Sequence, residues 1–210
     1  MVTENQTTVE TQSGKLPTGL LLGGAALLVG LAVGLVVLGG LPSRTESIAE
    51  SGAVGPIAVP DNPNDLPVAP EVGAMAPNFS LQTPDGETFA LSDFRGQGVL
   101  VNMWATWCGP CRLEMPAMQA IYEARKDEGF VVLTVNHTDT DTVPAIVDFG
   151  EELGLTFPLL VDPGSEIQKA YQVRAYPSSF FVDRDGVIQT VHFGPMTEDQ
   201  LDGFVDELLQ

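Results

Sequence analysis

Two cysteines, Cys108 and Cys111, are the only ones in the 210-residue chain, and both lie in the stretch WATWCGPCRLEMP. The apolar run GVLVNMWAT is typical of a strand buried on both faces, and the residues after the pair have helical apolar spacing. Positions i and i+3 of a helix share a face, with Cβ atoms near disulfide reach. Cys108 then lies at the helix start, where unpaired backbone N–H groups and the helix dipole stabilise an anion. We therefore expect an exposed, easily ionised Cys108 as the attacking thiolate and a shielded Cys111 as the resolving thiol.

Other chemistries that use a C-x-x-C pair fit these residues less well. A zinc site needs four ligands, and the remaining candidates, His137 and His192, stand isolated in separate predicted strand regions. Covalent haem attachment requires a histidine directly after the second cysteine, where this chain has Arg112. A static structural disulfide remains an alternative, although closing so short a loop adds little stability. A redox-active dithiol is the favoured interpretation, and we expect it to need neither a metal nor an organic cofactor.

The residues around the cysteines suit a reactive thiolate. Pro110 removes no needed donor and fixes its own φ, and Gly109 leaves one side of the Cys108 sulfur open to a protein substrate. Lowering a thiol pKa from about 8.5 to about 7 takes roughly 2 kcal/mol, whereas the helix dipole contributes about 0.3–1 kcal/mol. Backbone N–H groups or the partner thiol must therefore donate hydrogen bonds to the sulfur. Trp104 and Trp107 are either walls of a cleft or packing residues at the strand end.

Acidic residues dominate the charge of the chain: 28 against nine basic residues give a formal charge of −19. Nucleic-acid phosphates and anionic lipid head groups both attract basic surfaces. The composition therefore argues against a nucleic-acid partner and against docking onto anionic lipid heads. Two cysteines are also too few for a small secreted fold that depends on several disulfides.

Four regions follow one another along the chain. Residues 1–19 form a short amino-terminal tail, and residues 20–41 are an uncharged apolar run. Crossing a bilayer takes roughly 20 such residues, so we predict a retained transmembrane anchor, with a cleaved signal peptide or a buried core helix as alternatives. Residues 42–72 are rich in proline and predict an extended linker, and residues 73–210 predict the folded domain. The few flanking charges barely indicate orientation.

Within the predicted domain, strands alternate with helices and are followed by a hairpin and a last helix. This order is typical of a layered α/β sheet domain. Turn residues predict hairpins around 83–86 and 185–186. The other main elements are a buried strand over 130–137, helices over 109–127 and 142–153, and a final helix opened by the capping box Thr197-x-x-Gln200.

The segment VLVNMWATWCGPC, followed by RLEMP, resembles the thioredoxin superfamily. More narrowly, it resembles the membrane-tethered TlpA/ResA-type thiol–disulfide oxidoreductases with their redoxin (AhpC/TSA-like) domain, over residues 73–210. Pro116 matches the proline that kinks the active-site helix of the superfamily. Asn102 replaces the buried aspartate of cytosolic thioredoxins, and the insertion over 138–162 is similar to that of the tethered branch. The resemblance implies a thioredoxin-like fold, a central mixed sheet flanked by helices, with an amino-terminal hairpin.

Glu114, three residues after Cys111, matches an acid that ResA-like proteins place in the active-site cleft. The spacing alone puts Glu114 and Cys111 on one helix face, where they could exchange a proton. A solvated helix glutamate is the alternative that the spacing leaves open. The resemblance favours a catalytic Glu114.

The segment RAYPSSFFVDRDG resembles the cis-proline segment of the same family. The resemblance implies a cis Pro177 that faces the dithiol and a Tyr176 backbone that pairs with an incoming peptide in β fashion. A trans proline that merely starts a strand is the alternative. Two departures are visible, because serines replace the usual threonines and the bulky Tyr176 precedes the proline. Together with Tyr176 and Pro177, the expected substrate-binding residues are Trp107, Gly109 and Pro110.

The resemblance implies a single-pass membrane protein with an extracytoplasmic carboxy-terminal domain. Its expected reaction is reduction of disulfides in protein substrates, such as apocytochrome c before haem attachment. A single span carries no electrons across the bilayer, so we expect a separate membrane thiol reductase as electron donor. Two other functions remain as alternatives: a thiol peroxidase, although residues 101–108 lack its P-x-x-x-T-x-x-C pattern, and a tethered binding module without turnover.

Overall fold

The computed structural model describes residues 55–57, 62 and 65–210, all within the compact unit Glu50–Gln210. The predicted tail 1–19, the predicted anchor 20–41 and most of the predicted linker lie outside the described residues. Among the described helices, none combines the length and the apolar character needed to cross a bilayer.

The strands of the described residues form one mixed sheet with the order β1-β2-β6-β5-β4-β7-β8, and β3 pairs with β2 off this path. Strand β4 lies inside the sheet, parallel to β5 and antiparallel to β7. Both faces of β4 are covered, which is why its sequence is almost continuously apolar. The strands are β1 (Gly55–Pro56), β2 (Phe79–Gln82), β3 (Thr88–Ala90), β4 (Gly98–Trp104), β5 (Phe130–Asn136), β6 (Leu159–Val161), β7 (Ser178–Val182) and β8 (Ile188–Phe193).

The helices of the described residues agree with the predicted positions within two residues, apart from a short one that was not predicted. The predicted capping box opens the last helix, since the Thr197 side chain accepts from Gln200 N–H and the Gln200 side chain accepts from Thr197 N–H. The short helix α3 has five residues, too few for an apolar period to appear in the sequence. The helices are α1 (Gly109–Arg125), α2 (Val143–Leu153), α3 (Glu166–Ala170) and α4 (Glu198–Leu209), with 3₁₀ turns at Leu91–Phe94, Lys126–Glu128 and Thr138–Thr140.

Two apolar cores lie on opposite faces of the sheet. Successive side chains of β7 point to opposite faces of the sheet and so into different cores. Phe181 packs into the cluster that contains α1 and α4 residues, whereas Phe180 packs into the other cluster. Ser179 alternates with Phe180 and therefore shares the α1/α4 face. In the β4–β7 register Ser179 stands opposite Asn102. The sheet thus brings two polar side chains together under the active-site helix.

The folded domain begins earlier than the predicted boundary at residue 73. Strand β1, inside the predicted linker 42–72, pairs antiparallel with β2. Met75 also donates to the Pro67 carbonyl and accepts from Ala69 N–H, at 2.9 and 3.1 Å. These contacts use backbone groups and need no apolar side chain. For that reason the composition, which suggested a free spacer, did not reveal them.

Candidate active site

The two cysteines lie where β4 turns into α1. Cys108 is the N-cap residue of α1, with φ −79° and ψ 102°, as the sequence predicted for the helix start. Its sulfur accepts a hydrogen bond from the Cys111 backbone N–H at 3.1 Å. Pro110 occupies the first turn, where a missing N–H leaves no gap in the helix. The local backbone therefore supplies one of the donors that a thiolate at position 108 requires.

Cys108 and Cys111 form a disulfide, with Cα atoms 5.3 Å apart. Cys108 is 4% exposed and Cys111 is fully buried. The expectation of an exposed Cys108 is therefore wrong for the oxidised protein, because its sulfur packs into the apolar cluster between sheet and helix. Cys111 is more shielded from solvent than Cys108, as predicted. A Cβ atom added at Gly109 would meet nothing within 4 Å, so this side of the turn faces open space.

Glu114 is 1% exposed and lies on the buried face of α1 together with Cys111. The alternative of a solvated glutamate is therefore wrong. Asn102 Nδ2 donates to Glu114 Oε1 at 2.9 Å, and the Met196 backbone N–H donates to Oε2 at 3.2 Å. Burial raises the pKa of Glu114 to about 7, against the opposing effect of these two donors. The site therefore contains a buried carboxyl group whose pKa lies near neutral pH.

The Tyr176–Pro177 peptide bond is cis, as the resemblance implied. The Pro177 carbonyl accepts from Gly194 N–H at 3.0 Å. The Tyr176 hydroxyl donates to Gln168 Oε1 at 3.0 Å, and burial, with a smaller contribution from the charge of Asp162, raises the pKa of Tyr176 to about 12. Tyr176 is therefore a neutral, anchored side chain next to the cis proline.

Tyr176 and Trp107 build an aromatic wall with a third ring that sequence reasoning left without a role. Trp107 is 57% exposed and meets Tyr176 edge to face, with ring centroids 5.8 Å apart. His137 stacks on Tyr176, with ring centroids 5.5 Å apart. Thr140 Oγ1 contacts both Trp107 and His137, since it accepts a hydrogen bond from Trp107 Nε1 and lies 3.1 Å from His137 Nδ1. Trp104, by contrast, is fully buried against Phe149 and is a packing residue.

Asp141 anchors the turn before the cysteines and was missed in the sequence. Its carboxylate accepts from the backbone N–H and the hydroxyl of Thr106, both at 2.7 Å, and from Asn136 Nδ2 at 3.0 Å. Burial acts to raise the pKa of Asp141, but these donors and Thr142 N–H outweigh it, so the pKa is lowered. An acidic residue just after the predicted strand 130–137 was the available signal, because strand ends often position loop residues.

No group of three or more metal-ligating side chains occurs among the described residues.

Comparison with known proteins agrees with this geometry. Residues 72–191 match the AhpC/TSA family. Thiol-disulfide oxidoreductase ResA of Bacillus thuringiensis subsp. konkukian is 39% identical over 139 residues, which are 66% of this chain and 79% of that protein. Thioredoxin-like protein YneN of Bacillus subtilis is 41% identical over 135 residues, or 64% of this chain and 78% of that protein.

Solved structures give the same fold. StoA from Bacillus subtilis superposes with a TM-score of 0.55 at 32% identity, covering 63% of this chain and 98% of its own. A thiol:disulfide interchange protein of the thioredoxin family from Chlorobium tepidum TLS has a TM-score of 0.62 at 27% identity, covering 67% and 99%.

A thioredoxin-like α/β domain with a Cys-Gly-Pro-Cys disulfide at a strand-to-helix turn defines a thiol–disulfide oxidoreductase, and the ResA relative carries that activity in its name. This chain belongs to the AhpC/TSA family and is a ResA/TlpA-like member of the thioredoxin superfamily. The predicted thioredoxin-like fold with a mixed sheet and the predicted enzyme class are thereby confirmed, whereas the transmembrane helix stays a prediction.

Proposed function

We propose that this oxidoreductase is held at the cell membrane by residues 20–41, with its domain outside the cytoplasm, and reduces disulfides in protein substrates such as apocytochrome c. The observation that carries the reducing chemistry is the dithiol turn above the buried Glu114 carboxyl. The apolar run of residues 20–41 and the resemblance to tethered oxidoreductases support the location.

In the first step a substrate peptide pairs with the Tyr176–Pro177 backbone and packs against Trp107. The Cys108 thiolate of the reduced enzyme attacks one sulfur of the substrate disulfide. A mixed disulfide forms, and the second substrate sulfur leaves with the electron pair of the broken bond and takes a proton from solvent. Gly109 keeps this side of the turn open to the substrate chain.

In the second step the Glu114 carboxylate takes the proton of the Cys111 thiol. The resulting Cys111 thiolate attacks the Cys108 sulfur, the mixed disulfide breaks, and the remaining substrate sulfur leaves and is protonated. The substrate has gained two electrons and two protons, and the enzyme holds the Cys108–Cys111 disulfide. A carboxyl whose pKa is about 7 suits this transfer, because it releases and takes up protons near neutral pH.

The oxidised enzyme then needs a reductant. The Cys108–Cys111 pair is the redox group, and the proposed reaction uses no metal or organic cofactor. A single membrane span supplies no path for electrons, so the proposed donor is a separate membrane thiol reductase that attacks the enzyme disulfide through a dithiol of its own.

Reduction of a protein disulfide by the full-length chain tests the chemistry. We expect Cys108→Ser to lower insulin reduction to the rate of dithiothreitol alone, and Cys111→Ser to accumulate a mixed disulfide with the substrate. A Cys108→Ser variant as active as the unmutated chain would sink the proposal in favour of a binding module. Rapid consumption of hydrogen peroxide with slow insulin reduction would instead indicate a thiol peroxidase.

The role of Glu114 has a separate test. We expect Glu114→Gln to slow resolution of the mixed disulfide by about 10²-fold while the first attack by Cys108 keeps its rate. Stopped-flow measurement of the two steps with a disulfide peptide distinguishes them. Equal slowing of both steps would contradict a proton transfer that belongs to Cys111.

Location and direction are tested on the full-length protein. We expect the chain to pellet with membranes, deletion of 20–41 to release it, and an impermeant thiol reagent to label the reduced protein in intact cells. We expect a reduction potential near −270 mV, as for reducing thioredoxins, whereas a value near −120 mV would indicate an oxidant.

A further inference from the structure

Asn102, Ser179 and Glu114 form a buried polar chain between the central strands and the active-site helix. Asn102 Nδ2 donates to Glu114 Oε1 at 2.9 Å and to Ser179 Oγ at 3.0 Å. Asn102 and Ser179 are fully buried, and they face each other in the β4–β7 register. Both hydrogens of the amide nitrogen are therefore used, one on the carboxyl group and one on the hydroxyl.

The amide oxygen of Asn102, unlike its amide nitrogen, takes no part in this hydrogen-bonded chain of side chains. Asn102 Oδ1 is buried and has no hydrogen-bond partner among the described residues. Leaving a buried acceptor unpaired costs free energy. The opposite amide orientation would point Oδ1 at a Glu114 oxygen, which repels it whenever Glu114 is ionised. The observed orientation thus gives the carboxylate a donor at the expense of the amide's own acceptor.

Among the residues that the structure describes, no cation pairs with the Glu114 carboxylate. Its hydrogen bonds within the described residues come only from Asn102 and the Met196 backbone. The cysteine sulfurs at the start of α1 are bonded to each other in the disulfide. The titratable or charged groups on the elements packed around Glu114 include Arg112 and Arg125 on α1, which pair with other carboxylates, His192 on β8 in register with Ser179, and carboxylates on α4. None of them bonds to Glu114. Neutral donors must therefore stabilise the ionised form.

We infer that Asn102 and Ser179 are positioning residues: Ser179 holds the Asn102 amide so that it presents an N–H to Glu114, which keeps this carboxylate available when Cys111 reacts. The inference rests on the proposed role of Glu114 in the second exchange step. Ser179 lies in β7, which begins directly after the cis Pro177. The peptide-pairing segment and the proton acceptor are thereby joined through one amide.

Titration of the Glu114 carboxyl carbon by ¹³C NMR in the full-length oxidised chain tests the inference, since the cysteines do not ionise in the disulfide. The signal is identified by its loss in Glu114→Gln. We expect Asn102→Leu to raise the titration midpoint by about 1 pH unit, a tenfold weaker acid. We expect Ser179→Ala to raise it by a smaller amount and Ser179→Thr, which keeps a hydroxyl, to restore it.

Matched controls separate positioning from general packing. Ser178→Ala removes a neighbouring buried hydroxyl that donates to the Ala175 carbonyl, and it should leave the midpoint unchanged. His192→Gln should also leave it unchanged. Should Asn102→Leu fail to fold, Ser179→Ala with its threonine rescue carries the test. Midpoints equal to that of the unmutated chain in both Asn102→Leu and Ser179→Ala would overturn the inference.

A kinetic measurement distinguishes this inference from the proposed role of Glu114. The pH midpoint of mixed-disulfide resolution should move with the NMR midpoint in Asn102→Leu. If the NMR midpoint moves and the resolution profile stays, Glu114 is not the base, and the link of Asn102 to catalysis fails with it. If neither moves, the positioning of Glu114 by Asn102 and Ser179 is itself wrong.

Discussion

Two carboxylates flank the cysteine turn, and they differ in what surrounds them. Asp141 bonds to Thr106, two residues before Cys108, whereas Glu114 lies three residues after Cys111. Burial is the largest influence on both and acts to raise both pKa values. The pKa of Glu114 is raised to about 7, yet the pKa of Asp141 is lowered.

The number of donors accounts for this difference. Asp141 accepts from two backbone N–H groups, a hydroxyl and an amide, and it keeps some contact with solvent. Glu114 accepts from one amide and one distant backbone N–H. Hydrogen bonds to an ionised group favour that form. Asp141 is therefore an anion at neutral pH that holds the turn, and Glu114 is a group able to exchange a proton.

Removing the Asp141 carboxylate should have the largest effect on stability. We expect Asp141→Ala to lower the free energy of unfolding at pH 7 by about 3 kcal/mol, because Thr106 N–H and the buried Asn136 amide lose a charged acceptor. Denaturant unfolding measures this. Asp148→Ala, an exposed carboxylate on α2, is the control and should change stability by less than about 0.5 kcal/mol. Equal effects of the two substitutions would show that Asp141 stabilises the fold no more than an exposed carboxylate does.

Glu114 should act on stability with the opposite sign. Its pKa rises from an ordinary 4.5 to about 7 in the folded protein. Between these values the folded state keeps a proton that the unfolded state releases, so stability falls as the pH rises through this range. We expect Glu114→Gln to be more stable than the unmutated chain by roughly 2–3 kcal/mol at pH 8, with little difference at pH 4.

Unfolding by urea at the two pH values checks this prediction. The comparison between pH values, rather than a single stability, isolates the carboxyl group, because packing losses in the variant are the same at both. A variant whose stability relative to the unmutated chain is no greater at pH 8 than at pH 4 would contradict a raised pKa of Glu114.

The loss of folding stability at low pH should depend on the protonation of Asp141. A lowered pKa means that its carboxylate stabilises the fold above the ordinary carboxyl range and that this contribution is lost as the pH falls through the folded pKa. We expect Asp141→Asn to flatten the loss of stability on acidification, and Asp148→Asn to leave it unchanged. Parallel acid limbs for all three proteins would contradict a lowered pKa.

Removing a single hydrogen bond to Asp141 should have the smallest effect on stability. Thr106→Val keeps the shape of the side chain and removes only the hydroxyl that donates to Asp141. We expect a loss of about 1 kcal/mol in the free energy of unfolding. A gain in stability would indicate that this hydroxyl does not contribute to holding the turn.

Local chemistry explains why much of the site was predictable. The helix start at Cys108, the N-cap of the last helix at Thr197 and the shared face of Cys111 and Glu114 depend on residues within a few positions of one another. Such features repeat wherever the same short pattern occurs. The cis bond at Pro177 was different, since it was predicted from the resemblance alone.

Non-local contacts explain what was missed. Asp141 lies 35 residues from Thr106, and Met196 lies 82 residues from Glu114. The pairing of β1 with β2 uses only backbone groups, which leave no mark in composition. No periodicity reports such contacts, because they depend on strand order and register.

The amino-acid sequence by itself determined that a thiol pair would stand at a strand-to-helix turn and that a carboxyl group would share its helix face, because both follow from spacing along one element. Only the tertiary structure decided the state of that carboxyl group. Burial between α1 and the sheet, and an amide held by a serine from another strand, set the pKa of Glu114, and neither exists until β4 and β7 pair.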